Sequence, residues 1–97
     1  MPCVAAARLG DWCSGHGCFP PRQNNEGSPN VFVNSRGWHR KGDNWQRHSC
    51  GDNRHSGNLA QGSSTVFING MPAGRLGDPV SCGSAVITGS GNVVCGG

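Results

Sequence analysis

Apolar residues in this chain come in short bursts separated by glycine. Val31-Phe32-Val33, Val66-Phe67-Ile68 and Val93-Val94-Cys95 each follow a Gly-Ser phrase, and Val4 to Ala7 and Ala85 to Thr88 are of similar length. Segments that are β-branched or aromatic and bounded by turn formers predict short strands joined by tight turns, with no helix. Within a burst the side chains alternate. Val31 and Val33 share one face, as do Val66 and Ile68, while Phe32 and Phe67 point to the other. Each strand therefore offers apolar groups to both sides, and a chain of 97 residues has no interior large enough to use both. At least one face, or one strand edge, is expected to be covered by something else.

The polar positions carry a second pattern. Arg, any residue, Gly and Asp recur in that order as Arg8-Leu9-Gly10-Asp11, Arg40-Lys41-Gly42-Asp43 and Arg75-Leu76-Gly77-Asp78. Downstream of each comes a Gly-Ser phrase, at Gly27-Ser28, Gly62-Ser63 and Gly89-Ser90. The chain reads as three copies of one unit, over about 1–35, 36–70 and 71–97. Successive Asp residues are 32 and 35 apart and successive Ser residues 35 and 27 apart, so the variation lies in loops between fixed elements. Three units make no long solenoid, and their simplest compact arrangement is around a pseudo-threefold axis. Glycine in each turn tolerates positive φ, and Arg three positions before Asp suggests a side-chain clasp across it. The expected fold is a small all-β domain of three pseudo-threefold repeats.

Composition makes that fold thin. Only 34% of residues are hydrophobic and 17 are glycine. A single domain of this size buries roughly 60–65% of its unfolded surface, so it is expected to need a staple, either disulfides or a metal. Six cysteines and four histidines can supply one. Met1 to Leu9 lacks the basic start and long apolar segment of a leader, which points to a cytosolic chain with reduced thiols. A disulfide scaffold stays open, but the cysteines do not recur in the repeat, whereas the metal-ligand residue types do. The net charge of +3 comes from scattered Lys and Arg residues, with none of the basic stripe that nucleic-acid binding wants. Trp12, Trp38 and Trp45 are expected to pack against the turns.

Counting from each turn aspartate brings out the chemistry. His16 lies five residues after Asp11, His48 five after Asp43 and Cys82 four after Asp78. Under threefold symmetry, residues at matched positions converge on one point, which supplies three of the four ligands of a tetrahedral ion. His55, in the longest insertion, is the natural fourth. Borderline-soft His and Cys ligands suit zinc. His39 stands where the other units have Ala7 and Gly74, a close-packed position, and is expected to be a packed or surface histidine. Cys13, Cys18 and Cys50 flank the ligand histidines and offer a rival site, but none recurs in all three units. Cys95 is read as replacing the strand-ending Asn of the other two units.

Met71-Pro72-Ala73-Gly74-Arg75-Leu76-Gly77-Asp78 and Val4-Ala5-Ala6-Ala7-Arg8-Leu9-Gly10-Asp11 resemble the proline-alanine-alanine-arginine motif of PAAR-repeat proteins. The second unit departs from it with Gly37-Trp38-His39-Arg40. The resemblance spans nearly the whole chain. It implies a metal-stapled cone that caps the blunt end of a trimeric β-helical spike, with a structural zinc near the vertex held by three histidines and one cysteine. His16, His48, His55 and Cys82 match those ligand positions. It also implies synthesis in the bacterial cytoplasm and assembly at the spike tip of a phage tail or a type VI secretion system, which pierces a cell envelope. No extension domain is expected. Two alternatives differ in class. A zinc hydrolase would need an open coordination position, which a full set of three histidines and one cysteine denies it. A zinc-dependent nucleic-acid module would need a recognition helix, which the glycine content disfavours.

Overall fold

Short strands dominate the computed structural model, which describes residues 4–95. Cys3 and Gly96 lie outside the described residues. Among the described residues there are eight strands and no helix: β1 Val4–Ala5, β2 Phe32–Val33, β3 Arg36–Gly37, β4 Asn44–Cys50, β5 Asn53–Asn58, β6 Phe67–Ile68, β7 Met71–Pro72 and β8 Val94–Cys95. They pair antiparallel as β1-β8, β2-β3, β4-β5 and β6-β7. The strands after the Gly-Ser phrases are shorter than the apolar bursts, because the phrase itself is a turn. Ser28, Ser63 and Ser90 each accept, through Oγ, the backbone N–H groups two and three residues on. This bond pattern fixes a turn in place of a ladder, and it is the physical reason that serine recurs.

Two hairpins turn through residues with positive φ at both central positions, Asn34 (51°) with Ser35 (67°) and Asn69 (54°) with Gly70 (80°). That is the signature of the type I′ turn, whose twist matches the strands it joins. Both turns straddle the boundaries expected at 35/36 and 70/71, so each strand pairs with the start of the next unit. The third such strand, β8, pairs instead with β1, Val4 opposite Cys95. Ser35 occupies a left-handed conformation that glycine holds at Gly70. Ser35→Gly is therefore expected to raise stability by about 1 kcal/mol, seen as a higher midpoint in a thermal melt.

The repeated Arg-x-Gly-Asp segments form one structure three times. Gly10, Gly42 and Gly77 have φ of 91°, 91° and 90°, the third-position conformation of a type II turn. Each turn is closed by Asp N–H donating to the Arg carbonyl. Across it, one carboxylate oxygen accepts from the Arg backbone N–H and Nε while the other accepts from Nη2. This clasp raises the pKa of all three arginines, chiefly through the hydrogen bond to Asp11, Asp43 or Asp78.

The residues just before these arginines contact one another in cyclic order. Ala7 N–H donates to Gly74 (3.0 Å), Gly74 N–H to His39 (2.7 Å) and His39 N–H to Ala7 (3.0 Å), each to the carbonyl. Two apolar clusters make up the core. One contains Ala7, Cys13, Trp45, Leu59, Val80 and Val86, with Cys82 packed against it. The other contains Ile68, Ala73 and Cys95, with Val31, Trp38 and Val66 packed on it. Cys95 thus takes the buried place that Val33 and Ile68 hold, not the place of an Asn, which corrects its reading from the sequence. Of the tryptophans, Trp45 is buried and Trp38 donates Nε1–H to the Gly74 carbonyl, but Trp12 is exposed.

Alternation alone left the orientation of the strands open. Phe32 (60%), Phe67 (56%) and Val94 (55%) are exposed, while their neighbours Val33, Ile68 and Cys95 are buried. Three strand pairs, β2-β3, β6-β7 and β1-β8, therefore each turn one large apolar side chain outward.

Candidate metal centre

The longest hairpin carries two of the expected ligands. β4 and β5 pair with His48 opposite His55, and a register shift between Trp45 and His48 marks a bulge in the ladder. Residues directly opposite in an antiparallel pair point to the same face, so the two rings meet at 4.5 Å between centroids. His16 comes from the tight turn His16–Phe19, closed by backbone bonds in both directions. Cys82 comes from the turn in which Gly83 N–H donates to the Val80 carbonyl, with Gly83 at φ 107°. Three segments distant in sequence thus deliver the four donors, two of them from the one hairpin.

The structure brings His16, His48, His55 and Cys82 together, with their ligand atoms all within 4.8 Å of one another. His55 Nε2 lies 2.6 Å from His48 Nε2 and 2.9 Å from His16 Nε2. A tetrahedral zinc with bonds of about 2.0–2.3 Å sets its donors roughly 3.3–3.8 Å apart, a spacing that the separations in the group, from 2.6 Å up to 4.8 Å, bracket. His48 Nδ1 is 2.8 Å from the Pro20 carbonyl, to which it donates, leaving the Nε2 lone pair aimed into the group. Desolvation first lowers the pKa values of His48 and His55 below the ordinary histidine range, with the Arg22 charge and the neighbouring rings adding to it and the Pro20 carbonyl opposing it at His48. Neutral rings are the metal-binding form. Phe19 stacks on His16 and sits 4.2 Å from the His55 ring, fencing one side. The group can hold a metal ion.

His39 is not in the group. It is fully buried, its Nδ1 donates to the Glu26 carbonyl at 2.6 Å, and its ring meets Trp45 edge-on at 5.2 Å. Burial lowers its pKa, against the opposing pull of the Glu26 carbonyl and the Asp43 and Glu26 charges, with Arg40 adding to the lowering. The unfolded chain therefore binds the proton more readily, so stability is lost as pH falls through about 6.5. His39→Ala, which installs the residue found at Ala7, is expected to flatten this loss by up to about 1.4 kcal/mol per pH unit relative to wild type. Urea denaturation of both proteins between neutral and mildly acidic pH measures the difference.

Two features had escaped the sequence. Cys18 and Cys50 are joined by a disulfide, with Cα atoms 5.5 Å apart, so the rival ligand group of Cys13, Cys18 and Cys50 does not assemble. Each of these cysteines follows a ligand histidine by two residues, and the bridge ties the His16 loop to the tip of the β4-β5 hairpin. The second feature is Arg22, which sits in what reads as a polar loop yet is buried beside Cys82.

A glycine-rich all-β chain with three clasped turns, outward apolar residues on three strand pairs and a His/Cys cluster defines a small metal-capable domain. The family described as the PAAR motif matches residues 23–88, and the chain belongs to it. His48, His55 and Cys82 fall within that match and His16 precedes it. The chain is 42% identical over 77 residues to the NAD(P)(+) glycohydrolase toxin Tse6 of Pseudomonas aeruginosa, covering 73% of this chain and 18% of the relative. The (p)ppApp synthetase toxin Tas1, from another strain of that species, matches to the same extent. The double-stranded DNA deaminase toxin A of Burkholderia cenocepacia is 38% identical over 64 residues, covering 66% of this chain and 4% of the relative. The chain thus spans 18% or less of the length of these relatives.

Proposed function

We propose that this domain is a structural, non-enzymatic spike tip: a pseudo-threefold cone of three repeats, over about 1–35, 36–70 and 71–97, that caps the end of a trimeric β-helical spike. The observation that carries this reading is the outward placement of Phe32, Phe67 and Val94 at matched positions of three strand pairs. The cyclic hydrogen bonds among Ala7, His39 and Gly74 support the threefold arrangement. The open end of a three-chain β-helix exposes unpaired strand edges. A tip with three similar faces can engage all of them, adding contact three times over. In the same reading one zinc held by His16, His48, His55 and Cys82 would staple the vertex, stiffening the point that meets the target envelope.

The domain would be made in the bacterial cytoplasm and carried at the tip of a phage tail spike or a type VI secretion spike. Its matches to small parts of three toxins support the second setting, in which such a tip is joined to a toxin. Native mass measurement of the domain mixed with a trimeric β-helical spike protein tests the cap: one tip per three spike chains is expected. A ratio of three to three would refute it.

A further inference from the structure

Arg22 is 5% exposed, and its side chain ends among sulfur atoms. Nε donates to the Gln46 carbonyl at 2.7 Å, Nη1 to Cys13 Sγ at 2.9 Å and Nη2 to Cys82 Sγ at 3.4 Å. The guanidinium carbon lies 5.5 Å from the centre of the Trp45 ring. Arg8, Arg40 and Arg75 each face an aspartate, whereas no ion pair among the described residues involves Arg22. A buried cation without a carboxylate is costly unless its donors are satisfied, and here two of the three acceptors beyond the ring are thiols. Gly57 makes the room: a Cβ there would lie 3.1 Å from Arg22 Nη2 and 3.5 Å from Cys82 Sγ.

We propose that Arg22 is a positioning residue of the metal centre, its planar fork directing the Cys82 sulfur toward the three histidines while holding the neighbouring thiol of Cys13 outside the ligand group. This rests on the metal reading given above. Cys82 sits in a turn and is only half-buried, so packing alone leaves its χ1 rotamer poorly fixed. A donor locked by a carbonyl, an aromatic face and a second sulfur selects one rotamer, the role that outer partners play for metal ligands. Lysine carries the charge but cannot span three acceptors in one plane.

The test is cobalt(II) titration of wild type, Arg22→Met, Arg22→Lys and Gly57→Ala, following the sulfur-to-cobalt charge-transfer band and confirming affinities by competition with zinc. Both Arg22 variants are expected to bind roughly ten- to 100-fold more weakly. Their band should move to lower energy, because the sulfur has lost a hydrogen-bond donor. Gly57→Ala, which keeps the arginine but crowds its fork, should shift the same way, and it decides the matter if Arg22→Met does not fold. Unchanged affinity and band in the variants, or wild-type behaviour in Arg22→Lys, would overturn the positioning role while leaving the metal site intact. A wild-type chain that binds neither cobalt nor zinc would overturn the metal reading and this one with it.

Discussion

Stripping the metal is expected to unfold the domain, and Cys82→Ser is expected to do the same while Cys95→Ser leaves the metal bound. The reasoning is one of magnitude. A structural zinc site contributes about 10–16 kcal/mol of apparent binding free energy, against the roughly 5–15 kcal/mol of net stability that a whole domain has. Only small clusters such as Ala7, Cys13, Trp45, Leu59, Val80 and Val86 are available to replace it. With about 4–8 °C lost per kcal/mol in a domain of this size, the melting midpoint should fall by more than about 20 °C. Elemental analysis should find one zinc per chain, and melts with and without a strong chelator should differ by that amount. The Cys18–Cys50 disulfide must be kept intact in both samples, since it cross-links the same two loops. A melt that stays unchanged once the metal is shown to be gone would refute the staple. Equal metal loss in Cys82→Ser and Cys95→Ser would show that the ligand group is wrongly assigned.

Replacing Phe32 and Phe67 together by glutamate is expected to abolish binding to the spike without weakening the fold. Both side chains are mostly exposed, so the charges meet water in the free domain and should move its melting point little. In the complex the same charges would be buried without partners. Central aromatic anchors commonly cost about 2 kcal/mol or more on truncation, so two of them correspond to at least about a 1,000-fold loss of affinity. Titration calorimetry against the trimeric spike measures this, with circular dichroism to confirm that the fold persists. Undiminished binding would show that the β2-β3 and β6-β7 hairpins do not form the docking face.

The repeated phrases were legible in the sequence because each encodes a local structure. Arg-x-Gly-Asp specifies a type II turn with its own clasp, and Gly-Ser specifies a serine-capped turn into a strand; both need only residues within a few positions of one another. The matched offsets of His16, His48 and Cys82 were readable for the same reason, since they count from those turns. What lay beyond reach depends on contacts across long separations. Alternation says that Phe32 and Val33 face opposite ways, but which one faces outward is decided by where Ile68, Ala73 and Cys95 pack. Cys95 itself was placed one position off: counted from Ser90 it stands level with Val33 and Ile68, and its pairing with Val4 buries it there. The Cys18–Cys50 pairing and the burial of Arg22 have no local signature at all: each exists because two insertions of different length fold over the same histidine cluster. The sequence by itself determined the turns, the short strands and the residue types able to bind metal. The tertiary structure alone decided which faces are exposed, which thiols pair and which lone arginine stands behind Cys82, because burial is a property of the closed chain and not of any segment in it.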